Sequence, residues 1–170
     1  MFNRILRAFR NDISIYSELK GKPEFASESW MVLVISIVIS AALATLTGIG
    51  NGISFGIFTG LTSVFVGILG YFVLVSLAWF MGTKLAKGTG SFTDIRAAAA
   101  YAYCIPTILT YIPYIGLIAS LWLLVTASSA IRETLGIGKG LTFFIVLISV
   151  AILDIAFLGG SFALGMMISN

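Results

Sequence analysis

Chemistry in this chain would have to start from Asp154, the only ionisable acid inside an apolar stretch. A carboxylate in hydrocarbon is costly, so by default it marks a functional position and needs a partner. Little surrounds it that could complete a catalytic set. There is no histidine, and the single cysteine, Cys104, lies in a predicted span. Neither a nucleophilic triad nor a thiolate and imidazole metal site can be assembled, and no intrachain disulfide is possible. An aspartyl protease of the membrane needs two carboxylates sharing a proton, and one is present. The glycines between residues 46 and 70 follow no strand and precede no Lys-Ser/Thr pair, which excludes a phosphate loop. The expectation is a protein that is not an enzyme, with no cofactor and no metal.

The helices that position Asp154 give it a depth. Phe92 to Pro106 and Leu141 to Asp154 are similar lengths, roughly 20 Å at 1.5 Å per residue. Asp154 is therefore expected level with Cys104, Pro106 and Thr107, and counting along the other spans brings Tyr71 and Ser120 near the same level. These residues form an expected intramembrane polar layer. Pro106 has no N–H, so the carbonyl of Ala102 loses its helical donor and needs another. Two readings of the layer stand side by side. Asp154 is a proton or cation site beside a kinked helix, or it is polar glue between helices.

Composition sets the class. Hydrophobic residues make up 59% of the 170 and charged residues only 10%, and mean hydropathy is +1.07. A soluble domain carries about 25% charged residues. So short a chain cannot hide this much apolar surface from water, which predicts an all-α polytopic membrane protein. The net charge of +3 is then explained by topology before nucleic acid is considered. No small-residue cleavage site accompanies the first apolar run, so no removable signal peptide is expected.

Residues 1–29 are read as a cytoplasmic amphipathic helix and linker. Phe2, Ile5, Leu6, Phe9, Ile13 and Tyr16 recur at helical spacing, opposite Arg4, Arg7 and Arg10. A basic face opposite an aromatic one suits the surface of an anionic leaflet. A polar linker is expected over 18–29. Residues 30–170 then hold five spans, at about 30–49, 54–83, 92–112, 114–130 and 141–162. Ser36, Ser40, Ala44 and Gly48 form a small-residue stripe for a close neighbour. The alanine-rich third span is expected to be surrounded by the others. Every one of the ten basic residues lies in segments 1–29, 82–96 or 131–140. Five crossings put those segments on one side, with the N-terminus cytoplasmic and the C-terminus outside.

Several local patterns also resemble the Yip-domain family, the Ypt/Rab-interacting multispan membrane proteins, in its short prokaryotic form. They are Met1-Phe2-Asn3-Arg4-Ile5, Tyr16-Ser17-Glu18, Ser91-Phe92 with Arg96, Ala102-Tyr103 ahead of Pro106, Ile112-Pro113-Tyr114-Ile115-Gly116, Trp122, Ala130-Ile131 and Gly136 to Lys139. The resemblance implies a five-helix bundle in the same orientation and residence in a prokaryotic inner membrane. Eukaryotic members are tied to small GTPases and vesicle traffic. This chain lacks their long cytoplasmic tail and their acidic-leucine-glycine-proline motif, which argues against a small-GTPase partner.

The expected function is a non-enzymatic membrane adaptor or scaffold for other membrane proteins or lipids. The alternative is a small transporter using Asp154 and the Pro106-kinked helix. Expected partners are the bilayer, with its anionic lipids, and a membrane protein or a second copy of the chain. Nucleic acid is not expected.

Overall fold

The computed structural model describes residues 1–152, and over that range it is helical, with no strand among the described residues. In chain order the helices are α1 (Phe2–Phe9), α2 (Ser14–Leu19), α3 (Pro23–Ile49), α4 (Ile53–Phe80), α5 (Phe92–Leu109), α6 (Gly116–Leu135) and α7 (Lys139–Ile152). A π-helical turn, Met81–Leu85, continues α4. Two helices, Pro23–Ile49 and Ile53–Leu85, are long and apolar enough to cross a membrane.

Local chemistry explains where the helices begin and end. Proline fits the first turn because its missing N–H would have no helical partner there, so α3 begins at Pro23 with Glu24 in the same turn. The expected linker over 18–29 is thus partly helix, and its last residues extend the first long helix toward the tail. Ser91 and Asp94 close a reciprocal capping box on α5: the Ser91 hydroxyl accepts from the Asp94 N–H at 3.1 Å, and the Asp94 carboxylate accepts from the Ser91 N–H. Gly136 adopts a left-handed conformation at φ +69° and caps α6. Arg132 and Glu133, expected in a polar break, therefore belong to the last turn of that helix.

The bundle is built around α5. Helix α3 packs against both α4 and α5, α6 packs along α5, and α1 and α2 lie across α5 from outside. Ile95 through Ala102 are buried without interruption, as are Cys104 and Pro106, so the alanine-rich helix is surrounded as its composition implied. The small-residue stripe of α3 also faces inward, with Ser36, Ser40, Ala44 and Gly48 all buried. Gly48 and Gly60 hold α3 and α4 close: a Cβ on Gly60 would lie 2.0 Å from Thr45 Oγ1, and one on Gly48 2.9 Å from the Gly56 Cα. Large apolar side chains do the opposite. Met31, Val34 and Val38 of α3, with Phe58, Leu61 and Phe65 of α4, project outward.

The ends of the helices meet in order. The Gly21 N–H donates to Asp94 at 2.8 Å, joining the entry to α3 to the start of α5. The Thr89 N–H donates to the Leu135 carbonyl at 3.1 Å, folding the segment after α4 over the end of α6. These contacts bring the segments bearing the basic residues to one end of the bundle.

Candidate functional site

The features with functional potential all converge on α5. Where Pro106 removes a donor, the Thr126 hydroxyl of α6 donates to the freed Ala102 carbonyl at 3.2 Å. The Ser36 hydroxyl of α3 donates to the Cys104 carbonyl at 3.3 Å. The need at Ala102 was legible in the sequence, but its donor was not. Thr126 looks like an ordinary helical threonine until α6 is seen packed against α5, where its hydroxyl also reaches carbonyls on its own helix.

The expected polar layer does not assemble among the described residues. The Tyr71 hydroxyl is buried and donates to the Arg96 carbonyl, nearer the basic end than Pro106. Ser120 is exposed and bonds its own helix at Gly116, 2.9 Å away. Cys104 is buried as a free thiol. The Thr107 hydroxyl has no hydrogen-bond partner among the described residues. Asp154 lies outside the described residues.

Near the basic end, Arg96 is drawn into the bundle with only 7% of its surface exposed. Its Nη2 donates to the Ala26 carbonyl at 2.7 Å, and its guanidinium lies 4.3 Å from the centroid of the Trp30 ring. A planar guanidinium able to stack on the indole suits arginine to this position better than lysine. Trp30 thus forms one wall of an arginine slot between α3 and α5.

The tail is the largest departure from expectation. In place of one helix over residues 1–17, a corner at Arg10–Asp12 separates α1 from α2. Asn11 takes φ +58°, which a continuous helix cannot accommodate. Asp12 stabilises the corner by accepting from the Ser14 N–H at 3.1 Å and hydroxyl at 2.6 Å. With the helix folded back, its apolar residues point inward. Ile5, Ala8, Ile15, Tyr16 and Leu19 pack with Val32, Ala98, Tyr101, Ala102 and Ala130 in one cluster.

The expected membrane-surface face is divided as a result. Arg4 pairs with Glu28 of α3, as does the terminal amine at 3.3 Å. Arg7 pairs with Asp12 at 2.8 Å and with Glu18 at 2.9 Å. The Glu28 carboxylate raises the pKa of Arg4 against the opposing effect of burial, and the Tyr101 hydroxyl adds to it, though it lies outside hydrogen-bond geometry. Asp12 is depressed to about 2, first by the Ser14 hydroxyl and then by Arg7. The Phe9 ring packs edge-on against Trp122 at 6.4 Å, and its carbonyl accepts from the indole N–H at 2.8 Å. Only Phe2 and Arg10 of the five expected residues remain free to face outward.

This arrangement binds a short amphipathic tail onto an alanine-rich central helix, and residues 9–161 match the Yip1 domain. The chain belongs to the Yip1 domain family. Helix α1 lies almost wholly ahead of the matched region, whereas α2 and the helices that follow it lie within it. The family is membrane-associated, in keeping with the apolar helices α3 and α4 of this Yip1 domain. No curated protein and no solved structure matches the chain with significance.

Proposed function

We propose that this Yip1-domain protein crosses the membrane five times, with its N-terminus in the cytoplasm. On this reading it acts without catalysis, as an adaptor that binds other membrane proteins or lipids. The observation that carries it is the inverted distribution of side chains. Serine, alanine and glycine predominate among the buried residues of α3 and α4, beside a few larger ones such as Leu33, Ile37 and Leu74, while leucine, isoleucine, valine and phenylalanine cover the outside. Lipid tails are as apolar as leucine, so helices in a bilayer associate through small residues and hydrogen bonds and leave large side chains outward. The same outward surface is available to a partner helix. The gathering of basic residues at one end supports the orientation.

Photocrosslinkers placed at Leu61 and Phe65 in native membranes test the adaptor role. A reproducible protein or lipid adduct at these positions is expected, and it should weaken when Leu61 is replaced by a bulkier residue. Adducts that change at random between preparations would remove the case for a dedicated partner. Flux through proteoliposomes that falls on Asp154→Asn would favour a transporter instead.

A further inference from the structure

A groove lies at the basic end, away from the α3–α4 surface. It is bounded by the α1–α2 corner, the last turns of α6 and the start of α7, and encloses about 490 Å³. Two cations line it. Lys139 enters no ion pair among the described residues, and Arg132 has only Glu133 at 4.0 Å, a loose contact in which both side chains stay partly exposed. Asn11 borders the groove at the corner, and its buried side-chain oxygen has no hydrogen-bond donor among the described residues. The rest of the wall combines the apolar side chains of Ile13, Val125, Phe143 and Phe144 with the hydroxyl-bearing Ser128, Ser129 and Thr142.

We propose that this groove holds an anionic phospholipid, with its headgroup at Arg132 and Lys139 and an acyl chain along Val125, Phe143 and Phe144. Charge selects the headgroup. Basic pockets between helix ends bind anionic headgroups, and each basic side chain there strengthens the attraction about fivefold. The apolar wall selects a lipid over a free phosphate, since a soluble anion gains nothing from two phenylalanines and a valine. The tail arginines expected to meet anionic lipid are poorer candidates, because Glu28, Asp12 and Glu18 already neutralise Arg4 and Arg7. The site rests on the reading that the chain is embedded in a bilayer.

The test uses the full chain in detergent, with bound lipid counted by native mass spectrometry. Phosphatidylglycerol should be retained in preference to phosphatidylcholine. Arg132→Gln and Lys139→Gln should each reduce that preference about fivefold, while Lys139→Arg should preserve it. The tail variant Arg4→Gln, at a residue whose partner Glu28 does not line the groove, should leave it largely intact. Phe143→Ala should weaken retention of phosphatidylglycerol without abolishing the charge preference. Equal retention by wild type and the Lys139→Gln variant overturns the site, as does loss of the preference in the tail variant alone. Displacement of the lipid by an equal concentration of inorganic phosphate overturns the acyl-chain contact. Lys139→Gln removes a side chain that makes no ion pair among the described residues, so the test stands even where Arg132→Gln fails to fold. A chain that labels as membrane-spanning but shows no anionic preference loses only this site, whereas one that does not span loses both.

Discussion

At the scale of single residues, Thr126 is the clearest compensation in the fold. Its hydroxyl supplies the Ala102 carbonyl with the donor that Pro106 withholds. Thr126→Val keeps the shape and deletes the donor, so it should lower stability by about 1 kcal/mol, the usual scale for such a bond between membrane helices. The coupling is more telling than the loss. In a Pro106→Ala background residue 106 regains its N–H and can bond Ala102 itself, so Thr126→Val should cost less there. Thermal unfolding of the four proteins in one detergent reads the cycle. Equal costs in both backgrounds would show that Thr126 contributes only through packing. Arg96 invites a second substitution. Arg96→Lys retains the charge but gives up the planar stack on Trp30, and should cost on the order of 1 kcal/mol in the same assay.

At the scale of elements, the α1–α2 corner differs most from what the sequence implied. Helical spacing grouped Phe2, Ile5, Phe9 and Tyr16 on one face, yet Ile5 and Tyr16 are buried in one cluster on two helices while Phe2 stays exposed, because periodicity carries no information about a left-handed residue inside the pattern. Asn11 is one of the few side chains that tolerates that conformation, and Asp12 before Ser14 is a turn-forming pair, so a weak signal was present. The destination of the face was not legible, because lipid and a groove of alanines select the same apolar residues. By contrast, α5 was readable because alanine gains little from lipid and its abundance announces close neighbours.

The corner also has a pH signature. Asp12 titrates at about 2 in the folded chain, below its ordinary 3.8. Its depressed pKa means the charged form is favoured by folding, so this contribution is complete above about pH 4 and is lost as pH falls toward 2. A spin label at Asn3→Cys, with Cys104 replaced by Ala, should gain mobility over that interval. In the Asp12→Asn variant the label should already be more mobile at neutral pH and respond less to acid. A wild-type label unchanged down to pH 2 would mean that the apolar contacts of Ile5 and Ala8 hold α1 without the corner.

For the whole molecule, the orientation depends on a relation between charge and length. Helices α3 and α4 turn at Gly50–Gly52, α5 and α6 turn at residues 110–115, and no Lys or Arg lies in either turn. The opposite ends carry Lys84, Lys87, Arg132 and Lys139. Translocating a segment with several cations is disfavoured, so all of these should stay on the side where the tail lies. Single cysteines in a Cys104→Ala background, at Lys87 and Gly138 on one side and Asn51 and Tyr114 on the other, turn this into a labelling pattern. An impermeant maleimide added to sealed right-side-out vesicles should modify Asn51→Cys and Tyr114→Cys and spare the other two until the vesicles are opened. Tyr114 is the sharper of the outer probes, because its side chain is fully exposed and packs against nothing whose loss would disturb the turn. Labelling of Lys87→Cys and Tyr114→Cys from the same side would place both ends of α5 in one compartment. That outcome would require α5 and α6 to enter and leave by the same face, and the outward leucines and phenylalanines would then need a protein partner rather than lipid to cover them.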